Sequence, residues 1–108
     1  MKNKKVIYVD IDDTICFYGE NDRLENGAKD YMSATPNFEN IEKINNMYEK
    51  GCFIKYWTSR GSVSGVNYHN ITEKQLNEWG AKYHELSVGE KPFYDLLICD
   101  KTKRIEEI

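Results

Sequence analysis

The chain has 108 residues, of which 40% are hydrophobic and 31% charged, and a formal net charge of -3. That length suits a single domain over 1–108, and the composition is that of a globular chain, not a disordered one. The net negative charge argues against nucleic acid as a partner, because phosphate backbones select basic faces.

The opening "MKNKK" is basic, but the apolar stretch behind it meets Asp10 within a few residues, so it does not fit a signal peptide. No apolar run is long enough to cross a bilayer, so no membrane is expected. "KVIYVDI" is β-branched and bounded by charge, which predicts a buried strand. It runs into three carboxylates, Asp10, Asp12 and Asp13, and then Thr14. Thr14 to Thr35 is rich in Gly, Asn, Asp and Lys without periodicity, which predicts a loop or small hairpin. Its length favours a functional loop over a plain connection. A helix is expected from Pro36, with Thr35 as its cap, an apolar face of Phe38, Ile41, Ile44, Met47 and Tyr48, and Gly51 as its stop. "CFIKYWT" predicts a second strand, followed by the Gly/Ser loop "RGSVSGVN". "NITEKQLNEWG" predicts a helix, with Thr72 and Gln75 spaced as a capping box and Gly80 as its stop. A short extended piece is expected around "YHELSVG", and "YDLLICD" predicts the last strand.

Strands alternating with helices predict an α/β fold: a mainly parallel sheet in a three-layer Rossmann-like domain with right-handed crossovers. In such sheets ligands bind beyond the carboxyl ends of the strands. The polar residues are expected to meet there: Asp10 and Asp12 after the first strand, Thr58, Ser59 and Arg60 after the second, Asp100 after the last. Like charges crowded at one strand end repel, and a hard divalent cation relieves that repulsion. Magnesium takes oxygen ligands, commonly one or two carboxylates with water and substrate phosphate. The hydroxyl of Thr58 and the ammonium of Lys91 suit a phosphoryl group, and an aspartate can itself attack phosphorus.

These residues carry a resemblance. "DIDDT" resembles the first motif of the haloacid dehalogenase superfamily of phosphatases, an Asp-x-Asp-x-Thr at the end of the first strand. "YWTSR" resembles the second motif, Lys91 in "GEKP" the third, and "LLICD" the fourth, all in order along the chain. The finer pattern is similar to small bacterial phosphatases of capsule and surface-polysaccharide biosynthesis. The resemblance implies Asp10 as nucleophile and metal ligand. It implies Asp12 as general acid and then general base, ligating the metal through its backbone carbonyl. Thr58 and Lys91 would bind the phosphoryl group, Asp100 would complete a magnesium site, and Thr14 would buttress the loop. Cys99 stands where that family often has a further acid. Both usual cap insertion points are short here, so the resemblance implies a capless domain with an open site, for a small-molecule phosphate. A neighbouring subunit covering the rim would supply selectivity, as would the loop from Asp22 to Tyr31, Arg60 or "GSVSG".

Several residues admit plainer readings. Asp13 is expected to be a solvated neighbour. Arg60 is divided between substrate contact and surface pairing, and Lys101 rivals Lys91. Thr58 and Ser59 can cap local backbone instead. His69 and His84 are expected to be structural or surface residues, and Cys16 and Cys99 packing residues. Three cysteines without paired spacing fit a reducing cytoplasm. Two rivals to the enzyme stand: a phosphoacceptor signalling domain, and an inactive relative that only binds. In receiver domains the acid pair and the phosphorylated Asp sit on separate strands, whereas here Asp10 and Asp12 share one.

Overall fold

The computed structural model describes residues 5–25, 29–61 and 65–89, together with the backbone of Leu96–Ile98. Lys91, Cys99, Asp100 and Lys101 lie outside the described residues, so the roles expected of them rest on sequence.

Four strands form a parallel sheet: β1 (Val6–Asp10), β4 (Phe53–Thr58), β5 (Glu85–Val88) and β6 (Leu96–Ile98), in the order β5-β4-β1-β6. Between β1 and β4 the chain makes β2 (Cys16–Phe17) and β3 (Thr35–Pro36), paired antiparallel, and then α1 (Phe38–Glu49). The helix α2 (His69–Glu78) joins β4 to β5. In β1 the residues Ile7 and Val9 are buried, and in β4 Ile54, Tyr56 and Thr58 alternate with half-buried neighbours, the period of two that a strand imposes. Ile7 lies opposite Ile54 and Val9 opposite Tyr56, so these side chains share one face. Ile41 and Ile44 of α1 and Leu76 of α2 join the same core. Both helices therefore cover that face. The geometry requires this, because right-handed crossovers that step twice in one direction return to the same side.

The chain steps from β1 to β4 to β5 in one direction and then places β6 on the other side of β1. The strand order thus reverses beside β1, the kind of point outside whose carboxyl end open α/β sheets bind ligands. That is the end that carries Asp10 and Asp12.

Three local expectations are corrected. Pro36 belongs to β3, not to the first turn of α1, and the cap is Asn37, whose side chain accepts from the Asn40 amide at 3.0 Å. Phe38 is 62% exposed and stands outside the apolar face expected of it. Thr72 and Gln75 form no capping box, because α2 begins at His69, so Thr72 lies inside the helix and both side chains are engaged elsewhere. Gly51 and Gly80 end their helices as expected, each with the positive φ that glycine tolerates. The Thr14–Thr35 excursion is the β2–β3 ribbon with a short 3-10 turn, Tyr31–Ser33, and among the described residues there is no separate cap domain.

Candidate active site

The strand β1 ends at Asp10, and the chain then folds back within six residues. Thr14 and Ile15 donate to the Ile11 carbonyl at 3.2 and 3.0 Å, and Asp13 donates to Cys16 at 2.9 Å. Asp13 takes a φ of 65°, an arrangement that Asp tolerates better than most side chains. Its carboxylate pairs with Lys29, not with solvent alone as the sequence suggests. Thr14 is buried, and its carbonyl accepts from the side-chain amide of Asn40 in α1 at 3.0 Å. The buttress expected of Thr14 therefore runs through its backbone, while its buried hydroxyl has no hydrogen-bond partner among the described residues.

Asp10 and Asp12 sit on this turn. One carboxylate oxygen of Asp10 accepts from the Ile11 amide at 2.7 Å. Asp10 lies in register with Trp57, the residue before Thr58, so Asp10 and Thr58 are on adjacent strand ends. Neighbouring parallel strands are roughly 4.8 Å apart, which brings the two residues onto one rim. The buried Thr58 hydroxyl accepts from the Arg60 amide at 3.2 Å. It caps local backbone, as the plainer reading has it, yet its own proton remains to be donated.

Arg60 does not pair on the surface: its side chain is 0% exposed and is turned inward onto Asp12, while the residue also borders the cleft past the ends of β4 and β5. Its Nε donates to Asp12 Oδ2 at 3.0 Å, and its Nη2 to Asp12 Oδ1 at 2.7 Å and to the Tyr18 hydroxyl at 3.3 Å. Its Nη1 donates to Thr72 Oγ1 at 3.1 Å and to Gln75 Oε1 at 2.7 Å. A guanidinium has five N–H donors, and these five bonds use them all. The group also lies 4.6 Å above the ring of Tyr31. Burial alone would raise the Asp12 carboxyl, but the Arg60 bonds and charge outweigh it and hold Asp12 below the usual carboxylate value. Tyr18 completes the clamp by donating to Asp12 Oδ1 at 2.5 Å. Burial, with Asp12 beside it, pushes the Tyr18 phenol up, so it stays a donor.

Sequence reasoning missed Tyr18, Tyr31, Thr72 and Gln75. A signal existed for the last two. Residues three apart on a helix share a face whether or not they form a box at its start. Gln75 also donates to the Tyr31 carbonyl at 2.6 Å, so α2 is tied to the excursion after β2 as well as to Asp12. His84 is structural: it accepts from the Ile54 amide at 3.0 Å and stacks on Tyr48 and Phe53, while His69 begins α2 and borders the cleft described next.

Beside this rim, past the ends of β4 and β5, lies a cleft of about 380 Å³ that Arg60, Gly61, Asn67, Tyr68, His69 and Gly89 help to line. It is large enough for more than a phosphate ion. The Asp12 carboxylate is engaged by Arg60 and Tyr18, so a metal at the rim would be held by the Asp10 carboxylate and the Asp12 main-chain carbonyl, as the resemblance implies. Such donors suit a hard cation that keeps several waters. Among the described residues no three His, Cys, Asp or Glu side chains gather into a metal-binding group.

None of the described helices is long and apolar enough to cross a membrane. No family model matches the chain, and no curated protein matches it. Among solved structures it is similar to the crystal structure of an MCSG target from Vibrio cholerae, at 23% identity over 82% of this chain and 72% of that one, with a TM-score of 0.64. At that identity the likeness carries the fold alone: a small α/β architecture of Rossmann-like type built on a mainly parallel sheet.

Proposed function

We propose that this protein is a phosphomonoesterase of the haloacid dehalogenase type. It works through an aspartyl-phosphate on a small organic phosphate, a sugar or polyol phosphate of surface-polysaccharide synthesis. The observation that carries the reading is that Asp10, Asp12 and Thr58 share one rim where the strand order reverses beside β1.

Asp10 attacks phosphorus through a carboxylate oxygen, and the bond from phosphorus to the leaving oxygen breaks. Asp12, which must first take up a proton against the hold of Arg60, gives it to that oxygen, and an alcohol departs. Water then attacks the phosphorus of the aspartyl-phosphate and yields its proton to Asp12. Inorganic phosphate leaves, and Asp10 is restored. The Thr58 hydroxyl donates to a phosphoryl oxygen, and Lys91 balances its charge. Asp10, the Asp12 carbonyl and Asp100 would hold magnesium, which supplies charge neutralisation at the phosphoryl oxygens. The part of the substrate that does not react occupies the cleft beyond β4 and β5, where Asn67, Tyr68 and His69 offer polar and aromatic contacts without formal negative charge.

The occupied carboxylate of Asp12 favours one second reading, a phosphate-binding relative without turnover. A single experiment separates the two. Purified protein is assayed on 4-nitrophenyl phosphate and a panel of phosphorylated sugars and polyols, with magnesium or with chelator. Turnover that needs magnesium and falls at least roughly a thousandfold in Asp10→Asn supports the enzyme. Binding of phosphate without turnover supports the second reading. Turnover unaffected by chelator or by Asp10→Asn refutes the scheme.

A further inference from the structure

We infer that the cleft beyond β4 and β5 selects its substrate by shape: it takes the phosphate of a single sugar ring in preference to that of an open-chain polyol, and Tyr68 is the residue that selects. The inference rests on the phosphatase reading and narrows its substrate. Local backbone geometry puts Tyr68 at the cleft. Just past β4, Gly61 takes a φ of 84°. The Gly65 amide donates to the Gly61 carbonyl at 2.8 Å, which turns the chain back on itself. A Cβ on Gly61 would lie 2.0 Å from the Val66 carbonyl oxygen and 3.1 Å from the Tyr68 ring. Only a residue without a Cβ allows both approaches, so Gly61 brings Tyr68 against the chain that leaves β4. From the excursion after β2, the Tyr31 ring packs on Tyr68 with centroids 5.0 Å apart and planes at 79°. Tyr31 is itself fixed through its carbonyl, which accepts from Gln75 at 2.6 Å. Tyr68 is thus held by two neighbours while it lines the cleft, a rigid apolar surface set before any ligand arrives.

The other groups of the cleft match a sugar. The Asn67 side-chain oxygen accepts from the His69 amide at 2.9 Å, which leaves the NH2 group to donate. The Tyr68 hydroxyl and the His69 imidazole add further partners for hydroxyls, and Val66 and Val88 add apolar wall. The described lining holds no Asp, Glu or Lys, and the N–H groups of Arg60 are all engaged elsewhere. It offers no carboxylate to an ammonium and no open guanidinium to a second phosphate. A pyranose presents hydroxyls around its edge and a face of C–H bonds that lies flat on an aromatic ring. An open-chain polyol has the hydroxyls without the face, and it freezes more rotatable bonds on binding. At about 380 Å³ the cleft is near the lower end of the range for small-molecule sites, roughly 300–1,000 Å³, which suits one ring and not a chain of them.

Matched pairs test the selection. Glucose, mannose and galactose 6-phosphate are each compared, by kcat/KM with magnesium, with the hexitol 6-phosphate obtained by reducing it. Each pair shares its carbon chain and its phosphate and differs in whether a ring can close. The wild type is expected to favour the ring by at least roughly tenfold in one pair or more. Tyr68→Phe should keep that preference, and Tyr68→Leu should reduce it to under about threefold. A merely structural Tyr68 would lower both members of a pair alike and leave their ratio where it was. If Tyr68→Leu fails to fold, saturation-transfer NMR on Asp10→Asn with the favoured hexose 6-phosphate takes its place. Saturation of the protein's aromatic protons should then pass to the C–H protons of the sugar ring. A ratio under about tenfold in every pair would overturn the inference and leave the phosphatase standing. Turnover of 4-nitrophenyl phosphate but of no sugar or hexitol phosphate would do the same. So would an unchanged ratio in Tyr68→Leu, or no transfer to the ring protons. A wild type without turnover on any phosphate would overturn both.

Discussion

Removing Asp12 should cost more stability than removing any exposed acid, because of what it leaves behind. In Asp12→Ala, Arg60 keeps its charge and its 0% exposure but loses the acceptors at 3.0 and 2.7 Å. Nη1 keeps Thr72 and Gln75, and Nη2 keeps only the longer bond to Tyr18. Breaking a buried pair from one side costs about 3–5 kcal/mol, chiefly the burden of the uncompensated charge. Against a typical total of about 5–15 kcal/mol this is a large share. A loss of about 3 kcal/mol lowers the Tm of a domain this size by roughly 12–24 °C. Replacing both partners, Asp12→Ala with Arg60→Met, removes the stranded charge and should recover much of the loss, although Thr72 and Gln75 then lack a donor. Urea and thermal unfolding followed by far-UV circular dichroism, with chelator present, measure both variants. A pH series adds a sign. Arg60 holds the Asp12 carboxyl below its ordinary value, so this group stabilises the fold above the unfolded pKa of about 3.9. That contribution is lost as pH falls through the lower folded value, and Asp12→Asn should lack the acid-sensitive component. A cost below about 1 kcal/mol for Asp12→Ala, or a double variant no more stable than the single one, would refute the clamp.

Asn37→Ala should cost about 1 kcal/mol as a lost helix cap, and Thr35→Ala close to nothing, both read by urea midpoint. Gly61→Ala should be strongly destabilising. The residue has a φ of 84°, and a Cβ there would lie 2.0 Å from the Val66 carbonyl oxygen, so the loop must shift in addition to the roughly 1–2 kcal/mol of left-handed backbone strain. Thermal unfolding measures it, and an unchanged Tm would contradict the geometry. Burial, with Asp12 nearby, pushes the Cys16 thiol up to about 12, so near pH 8 its thiolate fraction is on the order of 10⁻⁴. Iodoacetamide should modify Cys52 before Cys16 in the native protein and reach Cys16 only on unfolding, as read by peptide mass spectrometry.

The fold was legible because its signals are local and repeated. "KVIYVDI" and "CFIKYWT" carry β-branched and aromatic runs that only a buried strand explains, and Gly51 and Gly80 punctuate helices wherever the chain goes next. Alternation of strand and helix then leaves one economical solution, a parallel sheet, and its rim locates Asp10, Asp12 and Thr58. The boundaries at Asn37 and at the start of α2 were harder to read, since Thr35, Pro36, Thr72 and Gln75 satisfy the same spacing rules at positions they do not occupy. What the sequence could not contain is the partner of Arg60. That side chain stands beside a serine and a glycine in the sequence, surroundings that suggest an exposed loop. Its five acceptors come from Asp12, Tyr18, Thr72 and Gln75, 48, 42, 12 and 15 residues away. Distances of that kind close only when β1, β4 and α2 have packed. A guanidinium is stable out of water only where the packed elements supply every acceptor at once, so the tertiary structure alone decided that Arg60 faces inward and that Asp12 is held.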